Sequence, residues 1–426
     1  MTNGRSSSDV TKEVTDLWSA RDIASFANES VKAISAGTAT DWGLASAIES
    51  PITPITLGGG IPDPDTLPRD ELRDANARAL AVADDAPLRY GGAMGLERLR
   101  AQLADRYTRD RGLPVNASHF ILENGSAGAI DAVCAALLDA GDVIIVEAPT
   151  FSGTLRTFRG KGAEIVSVEM DDDGMITEQV EQAIETAEAA GKRVKFIYTI
   201  SNFHNPTGIT MSLQRREDLL RIASQHSAFV LDDDAYGEIH YGEPPPTALS
   251  ALSGGYGVIT VGTFSKVIAT GLRVGWVHAR PEVIEIVARM RMDMGNSALL
   301  HNMLAEYLDG GRLDDHLDKM RSIYAEKMDI LAGALTEFAE PYLTFTRPKG
   351  GFFLWLTLQD GLTAAAVQRA GVQEGVVFPV GPAFFPDRED RGGEHIRLAY
   401  SWTSTDDLRE SAERLARACA RAAEGE

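Results

Sequence analysis

The sequence is poor in cysteine and has no long apolar run. Only two cysteines, Cys134 and Cys419, occur among its 426 residues, and their positions form no metal-ligand spacing. A disulfide scaffold is therefore excluded, and a reducing, cytoplasmic setting is expected. No apolar run approaches the roughly 20 residues of a membrane-spanning helix, and residues 1–10 lack the charged and then apolar build of a signal peptide. We therefore expect no membrane as a partner.

Basic residues are outnumbered by acidic ones. The chain has 41 lysines and arginines against 62 aspartates and glutamates, so its formal net charge is -21. Nucleic acids and anionic membranes attract basic surfaces, so neither is expected as a partner. Hydrophobic residues make up 44% and charged residues 24%, which is typical of a globular protein. At this length a large domain with a smaller companion is expected.

The stretch from Thr260 to Trp276 contains the most informative chemistry. An apolar run leads into a single lysine, Lys266, that stands among apolar neighbours. A lysine amine becomes a nucleophile toward a carbonyl when burial or a nearby cation lowers its pKa. Side chains suited to binding a phosphate stand on either side of this lysine: Thr263, Ser265 and Arg273. A reactive lysine beside phosphate donors indicates a phosphorylated aldehyde, pyridoxal phosphate (PLP). A nucleotide P-loop is excluded, because no GxxxxGK[ST] pattern is present.

This stretch resembles the SFSKxxxPGLRxGW signature of the class I/II aminotransferases, the fold-type I family of PLP-dependent enzymes. Thr270 stands where that family usually has proline. The resemblance implies that Lys266 binds the cofactor covalently. Other stretches, DDAYGE, TRPKGGFFLW and GPAFF, look like the 2-aminoadipate and aromatic aminotransferase branch.

Apolar runs alternate with helical stretches from His119 to Ala279, which is typical of a parallel sheet covered on both faces. The predicted strands are Phe120–Leu122, Val143–Val146, Glu164–Val168, Val194–Tyr198, Phe229–Leu231, Val258–Val261 and Val274–His278. The predicted helices include Leu17–Ile34, Thr40–Ser50, Ala127–Asp139, Thr177–Ala190 and Leu213–His226. Such sheets bind ligands at the carboxyl ends of their strands, so functional residues should follow the apolar runs.

The resemblance implies an α/β fold, that of a fold-type I PLP-dependent transferase. It consists of a large domain with a mostly parallel seven-stranded sheet and a smaller α+β domain. We predict an N-terminal arm with helices that join the small domain over residues 1–55. The large PLP-binding domain would cover residues 56–300, and the small C-terminal domain residues 301–426.

Two turns that follow predicted strands suit an anionic, flat cofactor. After the first strand, a glycine turn with Ser126 leads into a helix N-terminus, which is either an anion site or a simple serine cap. The family has two glutamines here, and Ala127 and Gly128 replace them, so only Ser126 and backbone amides can bind the phosphate. After the second strand, Phe151 stands where the family stacks an aromatic ring on the cofactor. A core phenylalanine is the alternative and is more common in general, but the ordered motifs around Phe151 favour the stacking role.

Three adjacent aspartates follow the fifth predicted strand. Like charges repel one another there unless one carboxylate has a cationic partner. A pyridinium nitrogen is such a partner, and the family pattern D-x-x-Y implies that Asp233 binds N1 and Tyr236 binds O3′. A metal site is the alternative, but no histidine or second carboxylate cluster completes it. In the family's PNxxNPTG turn, Asn205 would donate to O3′, while Ser201 replaces the usual proline and His204 a frequent glutamine.

The remaining motifs concern the substrate and a second subunit. The glycine–proline loop that contains Gly60 has no GxGxxG register, so a dinucleotide site is excluded, and the resemblance implies that it borders the substrate. Tyr90 matches a tyrosine that reaches the cofactor phosphate of the neighbouring subunit, which implies a homodimer with shared active sites. Arg397 would bind the substrate α-carboxylate bidentately. The alternative, a surface arginine on an edge strand, is disfavoured by the apolar residues on both sides of it.

We therefore expect a PLP-dependent aminotransferase that moves an amino group between an amino acid and a 2-oxo acid. Trp42, Phe384 and Phe385 favour an apolar or aromatic substrate. Two alternatives stay open. One is another PLP reaction on the same fold, such as oxidation, hydroxylation, cyclisation or elimination. The other is an aminotransferase-like regulator that senses a ligand, but no basic recognition helix precedes the glycine loop.

Overall fold

The computed structural model describes residues 7–35, 50–82, 84–386 and 391–425. The strands are β1 (Ile55–Thr56), β2 (Phe120–Glu123), β3 (Val143–Ala148), β4 (Glu164–Asp171), β5 (Gly174–Met175), β6 (Val194–Thr199), β7 (Phe229–Asp233), β8 (Val258–Thr263), β9 (Gly275–His278), β10 (Leu343–Phe345), β11 (Phe353–Leu358), β12 (Val376–Val377) and β13 (His395–Ala399). The helices are α1 (Ser7–Ser19), α2 (Glu29–Ser35), α3 (Arg69–Leu80), α4 (Glu97–Arg111), α5 (Gly125–Leu137), α6 (Ser152–Gly160), α7 (Thr177–Ala189), α8 (Leu213–Gln225), α9 (Leu249–Leu252), α10 (Pro281–Arg289), α11 (Ala298–Leu308), α12 (Arg312–Phe338), α13 (Ala364–Glu374) and α14 (Thr405–Glu424).

The main sheet has the strand order β2-β9-β8-β7-β6-β3-β4-β5. Strands β8, β7, β6, β3 and β4 run parallel, and β9 is antiparallel to both of its neighbours. The predicted α/β fold with a mostly parallel seven-stranded sheet is therefore confirmed, with the two-residue β5 added at one edge. All residues of β3 and β8 are buried, as expected for strands covered on both faces.

The N-terminal helix prediction was wrong in its extent. Instead of one helix over Leu17–Ile34, α1 ends at Ser19 and α2 begins at Glu29. The reason is local, because Asp22 and Asn28 each accept a hydrogen bond from a following backbone amide and so start new turns. Most of the predicted helix Thr40–Ser50 lies outside the described residues.

Two hydrophobic cores meet along the long helix α12. The first covers one face of the main sheet and includes Leu317 and Tyr324 of α12. The second lies between the antiparallel sheet β10-β11-β13 and helices α13 and α14, and it includes Leu331 and Leu335. Leu57, next to β1, belongs to this second core. The predicted division into residues 1–55, 56–300 and 301–426 stays a prediction.

Within the described ranges, no helix is long and apolar enough to cross a membrane. Both cysteines are buried and free.

Candidate active site

The candidate residues gather at one edge of the main sheet because parallel strands end there together. Asp233 ends β7 and Thr263 ends β8. Asn205 lies in the loop after β6, and Phe151 follows β3. This is the edge at which open α/β sheets bind their ligands.

Lys266 is a partly buried amine in the turn after β8. Its Nζ donates a hydrogen bond of 2.6 Å to the carbonyl oxygen of Gly60 and lies 5.8 Å from the ring centre of Tyr236. Burial lowers the pKa of Lys266 to about 8, and the positive charge of Arg397 acts in the same direction. The neutral, nucleophilic form of this amine is thus populated much nearer neutral pH than that of an exposed lysine.

Hydroxyl, guanidinium and amide donors form a cradle beside this lysine. Ser265 Oγ accepts hydrogen bonds from Thr263 Oγ1 at 2.9 Å and from Arg273 Nη1 at 3.2 Å. Arg273 Nη2 donates to the carbonyl oxygen of Asn124 at 3.0 Å, directly before α5. A Cβ on Gly125 would lie 2.6 Å from the same Nη2, so only glycine leaves this close approach open.

The N-terminus of α5 completes the cradle. Asn124 at its N-cap makes no side-chain capping bond, so the amides of the first turn remain donors for another group. Ser126 is partly buried and Ala127 is exposed. Helix amides next to an arginine and two hydroxyls are a set of donors that suits an anionic group such as a phosphate.

The three aspartates differ sharply in their surroundings. Asp234 is paired with Arg111 at 2.5 Å and accepts from Asn202 at 2.8 Å. Asp232 accepts from Ser201 Oγ at 2.7 Å. Burial raises the pKa of Asp232 to about 6, whereas in Asp234 the effect of burial is outweighed by Arg111 and the pKa lies below its usual value. Both outer carboxylates therefore have partners within the protein.

One carboxylate oxygen of Asp233 has no hydrogen-bond partner among the described residues. Its Oδ2 accepts a hydrogen bond of 3.0 Å from Tyr198 Oη, while Oδ1 has no partner within the described residues and is buried. Burial raises the pKa of Asp233 to about 7, which is the response of a carboxylate that lacks a cation. A protonated ring nitrogen would supply that cation. The unpaired oxygen and the phosphate cradle together fit PLP. Among the described residues no cluster of three His, Cys, Asp or Glu side chains could hold a metal ion.

Arg397 and Asn205 lie on the other side of Lys266. Arg397 Nη1 donates to Asn205 Oδ1 at 3.0 Å, and its Nη2 donates to the carbonyl oxygen of Gly58. The guanidinium carbon lies 4.6 Å and 4.8 Å from the ring centres of Phe353 and Phe384. Burial lowers the pKa of Arg397 to about 10. Arg397 is thus a buried cation between aromatic rings, not a surface arginine.

The other predicted residues differ in their positions. Tyr236 is buried and hydrogen bonded to Asn205. Gly60 lies against the ring of Phe353, which a Cβ would strike. Phe151 is half-buried. Tyr90, in contrast, is 81% exposed on the surface near α11.

The sequence analysis missed Tyr198, the hydrogen-bond donor of Asp233. Tyr198 was predicted only as the end of a strand. It pairs in register with Leu231 on β7, and alternate residues of a strand face the same side. Because Asp233 is two residues after Leu231, Tyr198 and Asp233 face the same side of the sheet, and the pairing of the two strands is the signal that identifies Tyr198.

The geometry agrees with comparisons to known proteins. Residues 53–415 match the family described as "Aminotransferase class I and II". The chain is 33% identical to the aromatic-amino-acid aminotransferase 1 of Thermococcus litoralis over 85% of this chain and 87% of that one. It superposes on the multiple substrate aminotransferase of Thermococcus profundus with a TM-score of 0.86 and 30% identity, covering 95% and 100% of the two chains. It also superposes on the alpha-aminoadipate aminotransferase of Thermus thermophilus, complexed with N-(5'-phosphopyridoxyl)-L-leucine, with a TM-score of 0.84 and 30% identity, covering 94% and 99%. This chain therefore belongs to the class I and II aminotransferases, PLP-dependent transaminases of fold type I.

Proposed function

We propose that this aminotransferase takes the amino group from an amino acid with an apolar or aromatic side chain and passes it to a 2-oxo acid. The observation that carries the substrate class is the aromatic wall around Arg397. Phe353 and Phe384 enclose the guanidinium, and Trp355 packs edge to face on Phe384 at 5.7 Å. A substrate bound through its α-carboxylate would place its side chain beside these rings.

We propose the following residues as the cofactor site. Bound PLP supplies an aldehyde and an electron-withdrawing ring that stabilises negative charge at the α-carbon of an amino acid. Donors to its phosphate would be Ser126, the amide of Ala127, Thr263, Ser265 and Arg273, with Tyr90 of a second subunit. Phe151 would contact the face of the ring, Asp233 would bind its protonated nitrogen, and Asn205 and Tyr236 its phenolic oxygen. The support is the buried, unpaired Oδ1 of Asp233 and the N-terminus of α5, which has no side-chain cap and lies beside Arg273.

Lys266 is proposed to move the proton. With a pKa of about 8, its Nζ is neutral in a useful fraction of molecules near neutral pH. A neutral amine that is freed from its covalent bond can take the proton from the substrate α-carbon, and the resulting ammonium can return it. As a free amine, Nζ donates to Gly60 O at 2.6 Å.

Arg397 is proposed to orient the substrate. Planar guanidinium binds a carboxylate through two parallel N–H bonds. Its Nη1 and Nη2 now donate to Asn205 and Gly58, and its buried Nε has no partner among the described residues. A cation with an unused donor inside an aromatic enclosure is a strong site for a carboxylate.

The proposed preference for an apolar or aromatic substrate side chain does not follow from the names of the relatives alone. One relative is named an aromatic and another an alpha-aminoadipate aminotransferase. An acidic side chain would need a further cation. Residues 36–49 contain no arginine or lysine. Phe384 and Phe385 are buried near the site, while Trp42 lies outside the described residues.

The test is the visible absorption of the enzyme with bound PLP during addition of single amino acids without oxygen. We expect phenylalanine, tyrosine and leucine to replace the absorption of the lysine-bound cofactor with that of its aminated form, and a 2-oxo acid to restore it. The Arg397→Gln variant should keep the cofactor and lose most of the response. A response to 2-aminoadipate that far exceeds all others would contradict the proposed substrate class. Absorption that changes only when oxygen is admitted would favour the oxidase or hydroxylase alternative.

We also propose a homodimer with shared active sites. Four exposed apolar side chains form what we call the Tyr90 surface: Leu88, Tyr90, Met292 and Met294, with exposures of 72%, 81%, 83% and 54%. The two loops that carry them adjoin, since a Cβ on Gly295 would strike the carbonyl oxygen of Gly92. Adjacent exposed apolar groups of this kind favour a protein partner. A cytoplasmic location, supported by two free cysteines, completes the proposal.

A further inference from the structure

We propose that Asp63 and Lys327 form an ion pair that positions the glycine loop, residues 58–63, for substrate binding. The two are positioning residues, since they act on Lys266 and Arg397 through that loop and through the segment that follows β13. The inference rests on the proposed function, because it concerns how an amino acid and a 2-oxo acid are bound.

Lys327 is a buried cation with all of its donors in use. Its Nζ donates to the carbonyl oxygens of Ser401 at 2.9 Å and Thr403 at 2.7 Å, and it forms an ion pair with Asp63. The side chains of Lys327 and Asp63 are only 4% and 10% exposed. An ammonium has three N–H donors, and its three acceptors lie on two segments, Asp63 in the glycine loop and Ser401 and Thr403 after β13. A buried pair with full hydrogen bonding is a strong geometric constraint.

The loop held at Asp63 is the one whose carbonyl oxygens meet the two substrate-handling side chains. Gly60 O accepts from Lys266 Nζ at 2.6 Å, and Gly58 O accepts from Arg397 Nη2. Glycines offer no side chains with which a loop could fix its own position. The place of these two oxygens therefore depends on how the ends of the loop are anchored.

The two ends of the loop are anchored to different elements. At one end, Leu57 O accepts from the backbone amide of Ala399, the last residue of β13, which is the strand that carries Arg397. At the other end, the amide of Asp63 donates to Tyr324 Oη at 2.9 Å. Tyr324 lies one turn before Lys327 on α12, the helix that joins the two cores. The Lys327 ammonium thus ties the loop to the segment that follows β13, and Arg397 belongs to that strand.

Loss of the pair should let the loop carbonyls drift from Lys266 and Arg397 while the phosphate cradle and Asp233 stay in place. Misplacement of a substrate-orienting group by about 1 Å can cost up to about 100-fold in kcat/KM. The loss should appear mainly in KM, because the groups that bind the cofactor and move the proton are unchanged.

The experiment compares steady-state kinetics of the enzyme with bound PLP in wild type, Lys327→Met, Asp63→Asn and Tyr324→Phe. For Lys327→Met and Asp63→Asn we expect KM for both the amino acid and the 2-oxo acid to rise about tenfold or more, with kcat within about threefold. Tyr324→Phe removes one hydroxyl and should raise KM about threefold. Cofactor content, read from visible absorption, should equal that of the wild type.

Lys195→Met is the matched control. Lys195 pairs with Asp142 at 3.3 Å, with exposures of 11% and 12%, where β3 and β6 begin. This variant also loses a largely buried ion pair, so its stability should fall while its KM stays at the wild-type value.

Unchanged KM in folded Lys327→Met overturns the inference. If Lys327→Met does not fold, Asp63→Asn and Tyr324→Phe provide the test. A wild-type KM in both of these variants also overturns the inference. If KM rises as much in Lys195→Met as in Lys327→Met, the rise is caused by lost stability and the inference is wrong. The proposed substrate class is tested independently of the ion pair. It is wrong if the wild type turns over only 2-aminoadipate, and the KM values of the variants are then compared with that amino donor.

Discussion

Lys266 stands among three charged groups that act on its pKa in different directions. Burial is the largest cause and lowers the pKa, the cations Arg397 and Arg273 lower it further, and Asp233 raises it. The outcome is a pKa of about 8 instead of the ordinary value of 10.5. The reactivity of this amine therefore depends on its surroundings, above all on its burial, and Arg397 has the largest effect among the charged groups.

We predict that protein freed of cofactor binds PLP covalently at a rate that rises with pH through a midpoint near 8. The neutral amine attacks the aldehyde, and its fraction grows as pH rises through the pKa. Rapid mixing with PLP at a series of pH values, followed by visible absorption, gives the midpoint. The Arg397→Gln variant should have a higher midpoint, because one positive charge is gone. A midpoint near 10 in the wild type would contradict the prediction.

His204 lies in a buried hydrogen-bond network behind Asn205. Its Nε2 is 3.0 Å from Glu147 Oε2, and its Nδ1 is 2.9 Å from Thr207 Oγ1. Glu147 also accepts from Thr199 Oγ1 at 2.5 Å. The imidazole thus joins the end of β3 to the turn that carries Asn205. The sequence analysis left the role of His204 open, and these contacts favour a positioning role.

We predict that His204→Leu lowers the free energy of unfolding by about 1–3 kcal/mol, because Glu147 loses a buried hydrogen-bond donor. KM should rise with it, since Asn205 contacts Arg397. His204→Gln restores an N–H donor and should recover most of both losses. Denaturant unfolding and steady-state kinetics provide the measurements.

His226→Leu serves as the control for His204→Leu. His226 faces Glu188 at 3.1 Å near the surface, so its loss should change the free energy of unfolding by less than about 0.5 kcal/mol. If His204→Leu and His226→Leu lower the free energy of unfolding equally, the burial of His204 does not explain its effect and the prediction is wrong.

Strand β9 connects the two parts of the phosphate cradle. Gly275 at its start pairs with Glu123 of β2 on one side and with Thr263 of β8 on the other. A Cβ at this position would lie 2.6 Å from the backbone carbon of Gly125 and from Gly262 O. Both neighbours are backbone, so neither can turn aside as a flexible side chain does.

We predict that Gly275→Ala separates the turn at Gly125 from Thr263 and weakens PLP affinity about tenfold or more, with a lower melting temperature. Titration of cofactor-free protein with PLP measures the affinity. Gly271→Ala is the control, because a Cβ there meets no atom within 4 Å in the described part of the chain. The prediction is wrong if both variants bind PLP as the wild type does.

The Tyr90 surface is exposed to solvent in the single chain. It contains Tyr90, which the family resemblance places in the active site of a neighbouring subunit. Its second loop, which contains Met292 and Met294, lies between α10 and α11. Arg291 holds that loop, since it donates to Leu122 O at 2.6 Å and pairs with Glu123 at 2.9 Å. The loop is therefore tied to the strand that leads into the phosphate cradle, so an interface here would adjoin the cofactor site.

We predict a dimer in solution that the double variant Leu88→Glu, Met292→Glu converts to monomers, because buried unpaired charges oppose association. Light scattering coupled to gel filtration gives the mass. The monomers should also bind PLP less tightly, since Tyr90 of a second chain is then missing. Leu213→Glu, an exposed apolar position on α8, should stay dimeric. A fully active wild-type monomer would refute the shared site.

The sequence predicted the main sheet well because its strands are short apolar runs that end at polar, functional residues. Each of the seven predicted strands has a counterpart in the structure within a few residues. The helix over Leu17–Ile34 was less predictable, because its apolar spacing continues through Asp22 and Asn28, whose capping bonds interrupt it. Local capping and long-range periodicity compete there, and spacing alone does not decide between them.

By itself the sequence determined the cofactor chemistry and the fold family, since the lysine, the aspartate triplet and the glycine turns form local patterns along the chain. Only the tertiary structure decided which aspartate keeps an unpaired oxygen, that Tyr198 donates to it, and that Lys327 meets Asp63. The reason is physical. Burial and hydrogen-bond partners depend on segments more than 200 residues apart, such as Asp63 and Lys327, and no local pattern encodes their contact.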